Sequence, residues 1–508
     1  MIQPQLLDAA IYTAVLALFA WLMISRRMAA TLALPLAALS LALLALAGQV
    51  AEVGWFSAAG VLLTDVLEQG VVRLSSAIFA VILGAILAAQ MKITGAAERV
   101  VRYAAEYAGE DRFRLGLMLL TVIALLFTTL GGLGAVILVA TITLPLMFSL
   151  GFEPRVAGVL FLLGLSLGGA LNPVNWALYI SVLGMTANQV IPFAVVLAAI
   201  FFAVCLAYLL VQVSGAAEWR RQLWPIICLL LLAAVVWFAA TNLPPLWFAL
   251  KVAVAVALMA LVCILGLLAL WRTVLVILLP RATRGWLRTP GNWLAAASVL
   301  VPLLLLLWAN LDANLSGGEP NVPVPILAAL ALGICFCALA SFTRDGLSGN
   351  RMMQALFEGI SSAGPAIVLL IGIGLLLKAT SLPAVVASFE PVFSLLPVTH
   401  PVGYVLVFFI LSPLALYRGP LNLYGMGSGV VGIISGSAIM AAGQIMAAFF
   451  SVGMLQGVCD PTNTHNVWIA NFCKVPVNDL TRASLPWVLI IVLCGLVAGA
   501  IMFGPRAW

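Results

Sequence analysis

Long apolar runs, separated by short polar breaks, dominate the chain. Twelve of them are near the ~20 apolar residues that a helix needs to cross hydrocarbon. They predict spanning helices over roughly 9–26, 30–50, 72–92, 155–185, 189–213, 222–241, 246–271, 291–309, 322–342, 364–380, 442–472 and 484–504. Two further apolar stretches, roughly 115–150 and 403–440, are too long for one crossing and carry central glycines. They read as re-entrant helical hairpins. The fold class predicted is an all-α polytopic membrane protein.

The pattern around Pro173, GGALNPVNWALY, returns around Pro461 as GVCDPTNTHNVW. The two prolines lie 288 positions apart, and so do Gly131 in TTLGGLGAV and Gly419 in LYRGPLNLY. Lys92 in AAQMKITG also has a counterpart in Lys378 of LLLKATSL. These landmarks predict two repeats, residues 1–213 and 291–508, each with five spanning helices and one hairpin. A two-helix linker, 214–290, joins them. Five crossings followed by two more turn the second repeat upside down, the arrangement of many secondary transporters.

Composition agrees with a membrane protein. Of 508 residues, 65% are hydrophobic and only 8% charged, too few charges to cover a soluble surface. The mean hydropathy is +1.22. The net charge of +6 follows membrane topology and implies no nucleic-acid partner. With the N-terminus outside, alternate loops hold 18 of the 23 Lys and Arg residues on the cytoplasmic side. The exceptions are Arg73, Lys251, Lys378, Arg418 and Arg506. Both termini are then periplasmic or external, on a bacterial inner membrane. MIQPQLLD has no basic stretch before its apolar run and reads as a retained helix, not a signal peptide. The eight cysteines read as small core residues. AAERVVRYAAEYAGEDRFR reads as an amphipathic helix lying in the interface.

Candidate chemistry sits at the breaks. A proline inside an apolar helix frees a backbone carbonyl, and lipid tolerates that only where the freed groups line a cavity or bind something. Asn172-Pro173-Val174-Asn175 and the segment from Asp460 to Asn466 are such breaks. Their carbonyls, with the oxygens of Asn172, Asn175, Asp460, Thr462 and Asn463, suit Na⁺. Helix N-termini there suit a carboxylate. A carboxylate at the membrane midplane costs about 2.5–3.5 kcal/mol on insertion scales, which makes Asp460 an ion-coupling or proton-carrying candidate. Arg418 has the fork geometry to hold a substrate carboxylate. Thr464 and His465 offer further polar contacts. At the hairpin tips Thr128, Thr129, Asn422 and Ser428 supply neutral oxygens. Gly131, Gly132, Gly134, Gly419, Gly425, Gly427 and Gly429 let backbone approach a ligand closely.

At these residues the chain resembles the ion-transporter superfamily, which includes divalent-anion/sodium symporters, citrate and gluconate carriers and Na⁺/H⁺ antiporters. It is most similar in feel to citrate or C4-dicarboxylate carriers. The likeness lies in a glycine-bearing hairpin followed by a helix broken at an NPVN or DPTN sequence. The tips read TTLGGLGA and YRGPLNLYG, where sodium–dicarboxylate symporters carry paired Ser-Asn-Thr tips. The resemblance implies a homodimer working by an elevator motion, with no cofactor beyond Na⁺. The expected function is secondary transport of a small di- or tricarboxylate coupled to Na⁺ or H⁺. A cation/proton antiporter with Asp460 as the exchanging carboxylate is the alternative, although Arg418 beside the site favours an anion. A membrane-embedded enzyme needs clustered nucleophile, base or metal ligands, which two separate histidines do not supply.

Overall fold

The computed structural model describes residues 2–25, 27–109, 111–213, 244–279, 288–342, 349–393 and 395–504. Every regular element among them is helical. In chain order they are α1 Ile2–Ile24, α2 Ala30–Val53, α3 Trp55–Val61, a π-helical stretch Leu62–Glu68, α4 Gln69–Arg73, α5 Ser75–Ile93, α6 Ala96–Ala108, α7 Arg112–Phe127 and α8 Gly132–Ser149. Then follow α9 Pro154–Ala170, α10 Pro173–Leu183, α11 Ala187–Val213, α12 Pro244–Leu278, α13 Arg288–Ala297, α14 Leu300–Leu315, α15 Ile326–Ser341, α16 Gly349–Thr380 and α17 Pro383–Phe393. The last are α18 Pro401–Leu411, a 3₁₀ stretch Ser412–Arg418, α19 Gly427–Ser437, α20 Ala442–Cys459, α21 Thr464–Cys473 and α22 Val477–Phe503.

Ten of these helical stretches are long and apolar enough to cross a membrane, and the bent pair α9–α10 raises the number to 11. The chain is a multi-pass membrane protein. The crossing expected at 222–241 lies outside the described residues. The one expected at 291–309 is covered by α13 and the 16-residue α14, parted only at Ser298–Val299, and the one expected at 322–342 contains the 16-residue α15. At 1.5 Å per residue α14 and α15 each rise about 24 Å, short of a full hydrocarbon slab.

Other boundaries move outward. The crossing expected at 72–92 belongs to a 39-residue apolar run, Trp55–Ile93. The one expected at 364–380 begins at Gly349. The one expected at 246–271 runs on to Leu278, so Arg272 lies inside α12 and not in a loop. Arg272 is 3% exposed and donates Nη1 to the carbonyls of Ala340 (2.7 Å) and Phe342 (3.1 Å). A cation there meets the negative end of α15.

Local chemistry fixes the helix ends. The Asp111 carboxylate accepts from the Arg114 N–H at 2.8 Å and starts α7. Pro154 opens α9 at a position where a missing N–H costs nothing. Gly184, left-handed at φ +67°, closes α10. The amphipathic segment forms α6 only as far as Ala108, and its last residues, from Arg112, begin α7; Tyr103 of α6 stacks on Trp293 with ring centroids 4.4 Å apart.

The α4–α5 stretch and α16 run antiparallel in close contact. A Cβ on Gly70 would meet the Leu375 Cα at 2.9 Å, and one on Gly359 would meet the Ile86 Cα at 2.6 Å. Such contacts need small residues and are the usual means by which helices approach in lipid. Lys92 pairs with Glu358 at one end of this helix pair. Lys378 donates to the Gln69 side chain at 2.6 Å at the other end. Glu358 and Lys378 are 20 residues apart on α16, about 30 Å along the helix axis, the depth of a hydrocarbon core.

Candidate functional site

Both proline breaks are built by the same local device. Asn172 stands between α9 and α10 with extended backbone, φ −83° and ψ 119°. Its Oδ1 accepts from the Val174 N–H at 2.9 Å. Asp460 stands between α20 and α21 with φ −71° and ψ 112°, and its Oδ1 accepts from the Thr462 N–H at 2.8 Å. Each side chain caps the turn two residues on, which lets the following proline enter without leaving an amide unanswered. The pair α9–α10 bends by 53° at its break.

The carbonyls freed at the breaks are taken up by side chains. At the first, Asn175 Nδ2 donates to the Gly169 carbonyl at 2.7 Å and Trp176 Nε1 to Ala170 at 2.9 Å. At the second, Asn463 Nδ2 donates to Gln456 at 3.2 Å and Asn466 Nδ2 to Asp460 at 2.9 Å. His465 Nε2 meets the Gly457 carbonyl at 3.3 Å, and Thr481 Oγ1 donates to Cys459 at 2.8 Å. Each carbonyl keeps a second lone pair. Thus Asn175, Asn463 and His465, chosen as ligand contacts, also hold the broken helix ends in place.

The two capping residues then diverge. Asn172 donates its Nδ2 to the carbonyls of Phe127 (3.0 Å) and Leu130 (3.3 Å), tying the break to the turn between α7 and α8. Its amide is committed on both sides. Asp460 is 1% exposed, and its Oδ1 also accepts from Thr462 Oγ1 at 2.6 Å, but its Oδ2 is buried with no hydrogen-bond partner. Asn466 Oδ1, Thr129 Oγ1, Ser166 Oγ and Asn422 Nδ2 are buried and unpartnered in the same way. A buried oxygen without a donor is costly, and two of these, on Asp460 and Asn466, belong to one turn. A donor set of carboxylate, amide and hydroxyl oxygens is what a hard cation such as Na⁺ takes. Among the described residues no three His, Cys, Asp or Glu side chains gather as a metal site.

The second tip is a closed loop. Tyr417 and Arg418 are both left-handed, at φ +57° and +58°, an uncommon state for residues with a Cβ. The Arg418 carbonyl accepts from the Met426 N–H at 3.2 Å and closes the loop. Asn422 Oδ1 accepts from the Tyr424 N–H at 2.9 Å inside it. Gly419 and Gly425 are buried, and a side chain on either would run into backbone carbonyls, of Leu414 and Arg418 respectively. Arg418 is half-buried, and its Nη1 reaches the Tyr424 carbonyl at 3.5 Å. It makes no ion pair with Asp460; His465 lies within electrostatic reach of both.

Loop and first break meet directly. Tyr424 Oη donates to Asn175 Oδ1 at 2.9 Å. Tyr424 was not among the residues picked from the sequence, although it stands in the tip motif YRGPLNLYG. A phenol buried in an apolar chain needs a partner, and that was the available signal. Ser166 and Thr481 had no comparable signal, because single hydroxyls are common on membrane helices. The first tip is different in kind. Thr129 is fully buried, whereas Gly131, Gly132 and Gly134 are exposed, with nothing within 4 Å of where a Cβ would stand. Thr464, at the start of α21, is exposed. No protein-family model matches the chain, and no curated protein matches it.

Proposed function

We propose that the protein is a secondary active transporter of a small organic anion, a di- or tricarboxylate, driven by Na⁺ or H⁺. The observation that carries this reading is the matched pair of capped breaks, Asn172 and Asp460, 288 positions apart. One is fully satisfied, and the other holds a buried carboxylate oxygen with no partner. Asp460, Thr462 and Asn466 form the cation half of the site. Arg418, on its closed loop, supplies the positive charge for a substrate carboxylate. The Tyr424–Asn175 hydrogen bond couples the second tip to the first break.

Inverted repeats fit the same frame. The helix pair α4–α5 and α16 carries corresponding contacts at both ends, Lys92 with Glu358 and Lys378 with Gln69. α19 has 11 residues and rises about 16 Å, the length of a half-crossing hairpin arm, whereas α8 and the run Pro401–Arg418 are each long enough to cross. The resemblance to the ion-transporter superfamily adds a homodimer and an elevator motion to the reading, and the loop-charge asymmetry adds external termini. A cation/proton antiporter is the second reading, favoured by the unpartnered Asp460 oxygen. Uptake of labelled di- and tricarboxylates into proteoliposomes, with and without a Na⁺ or pH gradient, separates the two. Gradient-dependent uptake supports the symporter. Cation-for-proton exchange without anion uptake supports the antiporter.

A further inference from the structure

We propose that Arg73 and Lys378 form an anion-binding pocket of their own, which takes a carboxylate or phosphate group. Thr64, Glu68, Gln69, Val72, Arg73 and Lys378 line a cavity of about 450 Å³ at one end of the α4–α5 and α16 pair. Two independent observations meet there. Arg73 and Lys378 are two of the few cations that the loop-charge rule places on the outer side, and the fold brings those two together. The backbone leading into the pocket, Leu62–Glu68, is π-helical, a distortion that concentrates at functional sites. At the opposite end of the same helix pair the counterpart lysine, Lys92, is paired with the Glu358 carboxylate. Ser361 stands there 288 positions after Arg73.

The charges suit an oxyanion. Arg73 and Lys378 give two positive charges against the single carboxylate of Glu68 among the lining residues. Neither cation has a carboxylate within ion-pair distance among the described residues. Arg73 spends one nitrogen on the Val182 carbonyl at 3.1 Å, which fixes its guanidinium and leaves its other N–H donors for a ligand. Lys378 is held by Gln69, and Gln69 in turn by Asp65 Oδ1 at 2.9 Å. Two oriented cations on a half-open pocket can take either a soluble carboxylate or the headgroup of an acidic phospholipid, whose net negative charge zwitterionic phosphatidylcholine lacks.

The test needs no transport activity, so it stands or falls apart from the function proposed above. The full chain carrying Val72→Cys is placed in phosphatidylcholine nanodiscs and treated with a membrane-impermeant maleimide. Modification at position 72 is read by peptide mass spectrometry. One arm adds citrate at matched ionic strength; another replaces part of the lipid with phosphatidylglycerol. Slowing by citrate identifies a soluble carboxylate as the occupant, and slowing by phosphatidylglycerol alone identifies a lipid headgroup. In either case Lys378→Gln, which keeps the contact with Gln69, should weaken the protection about tenfold or more. Glu68→Gln should strengthen it. Arg73→Gln should behave like Lys378→Gln, and if it fails to fold the lysine variant alone decides. No protection in either arm, or protection that survives Lys378→Gln unchanged, would overturn the proposal.

Discussion

Tyr424 donates its phenolic hydrogen to the side-chain oxygen of Asn175 across 2.9 Å, although 249 positions separate the two residues. Asn175 gives its amide hydrogens to the Gly169 carbonyl, so this one side chain joins the end of α9 to the second loop. Tyr424→Phe keeps the ring and removes the link. A neutral hydrogen bond is worth about 0.5–1.5 kcal/mol, so the half-saturating substrate concentration should rise about two- to tenfold. Uptake kinetics and thermal unfolding check this together. An unchanged half-saturation would mean that the bond plays no part in binding.

Asp460→Asn should fold. Asn172 shows that an amide holds the same turn with the same acceptor atom. The substitution removes the charge and leaves the cap, so the dependence of uptake on its driving cation should be lost while thermal stability stays near that of the parent. Retained dependence on the Na⁺ or pH gradient would remove Asp460 from the coupling role.

Arg418 lends itself to a pair of variants. Arg418→Gln removes the charge and should raise the half-saturating concentration about tenfold to hundredfold. Arg418→Gly removes the charge too, but it also relieves a left-handed backbone at φ +58°. That relief should stabilise the fold by about 1 kcal/mol, while transport falls as in the glutamine variant. A glycine variant that transports normally would show that the guanidinium is not a substrate contact.

Glycines at the first tip and in the helix pair should respond in opposite ways. Gly131 has an extended backbone, φ −152°, and open space where a Cβ would stand. Gly131→Ala should leave unfolding unchanged. On Gly359 the same methyl would lie 2.6 Å from the Ile86 Cα, and forcing it in should cost about 1–3 kcal/mol. Thermal melts of the two purified variants settle the comparison, and equal melting points would contradict it.

The class of fold and the positions of both breaks were legible in the sequence, because a proline flanked by Asn or Asp in an apolar run has few other uses. The glycine tip and the amphipathic α6 were legible for similar reasons. Helix limits were not. Polar residues inside the helices read as boundaries: Arg351, Gln354 and Glu358 lie within α16, and Asp65, Glu68 and Gln69 lie within the run from Trp55 to Ile93. The π-helical stretch was also hidden, since LLTDVLE has the composition of any helix turn. Arg272 read as a loop residue because charge usually marks a boundary. Its actual role, answering the last carbonyls of α15, depends on a packing neighbour 68 positions away. The Tyr424–Asn175 bond was invisible for the same reason.

Gly70 and Gly359 have a mechanical consequence. Where backbone touches backbone, no layer of side chains remains to shear, and neither helix can turn or slide past the other by even a fraction of a turn without collision. The α4–α5 stretch and α16 therefore act as a single axle, tethered at one end by Lys92 and at the other by Lys378. Under the transport reading proposed above, the hinge of any motion that opens the two breaks in turn would lie outside this helix pair.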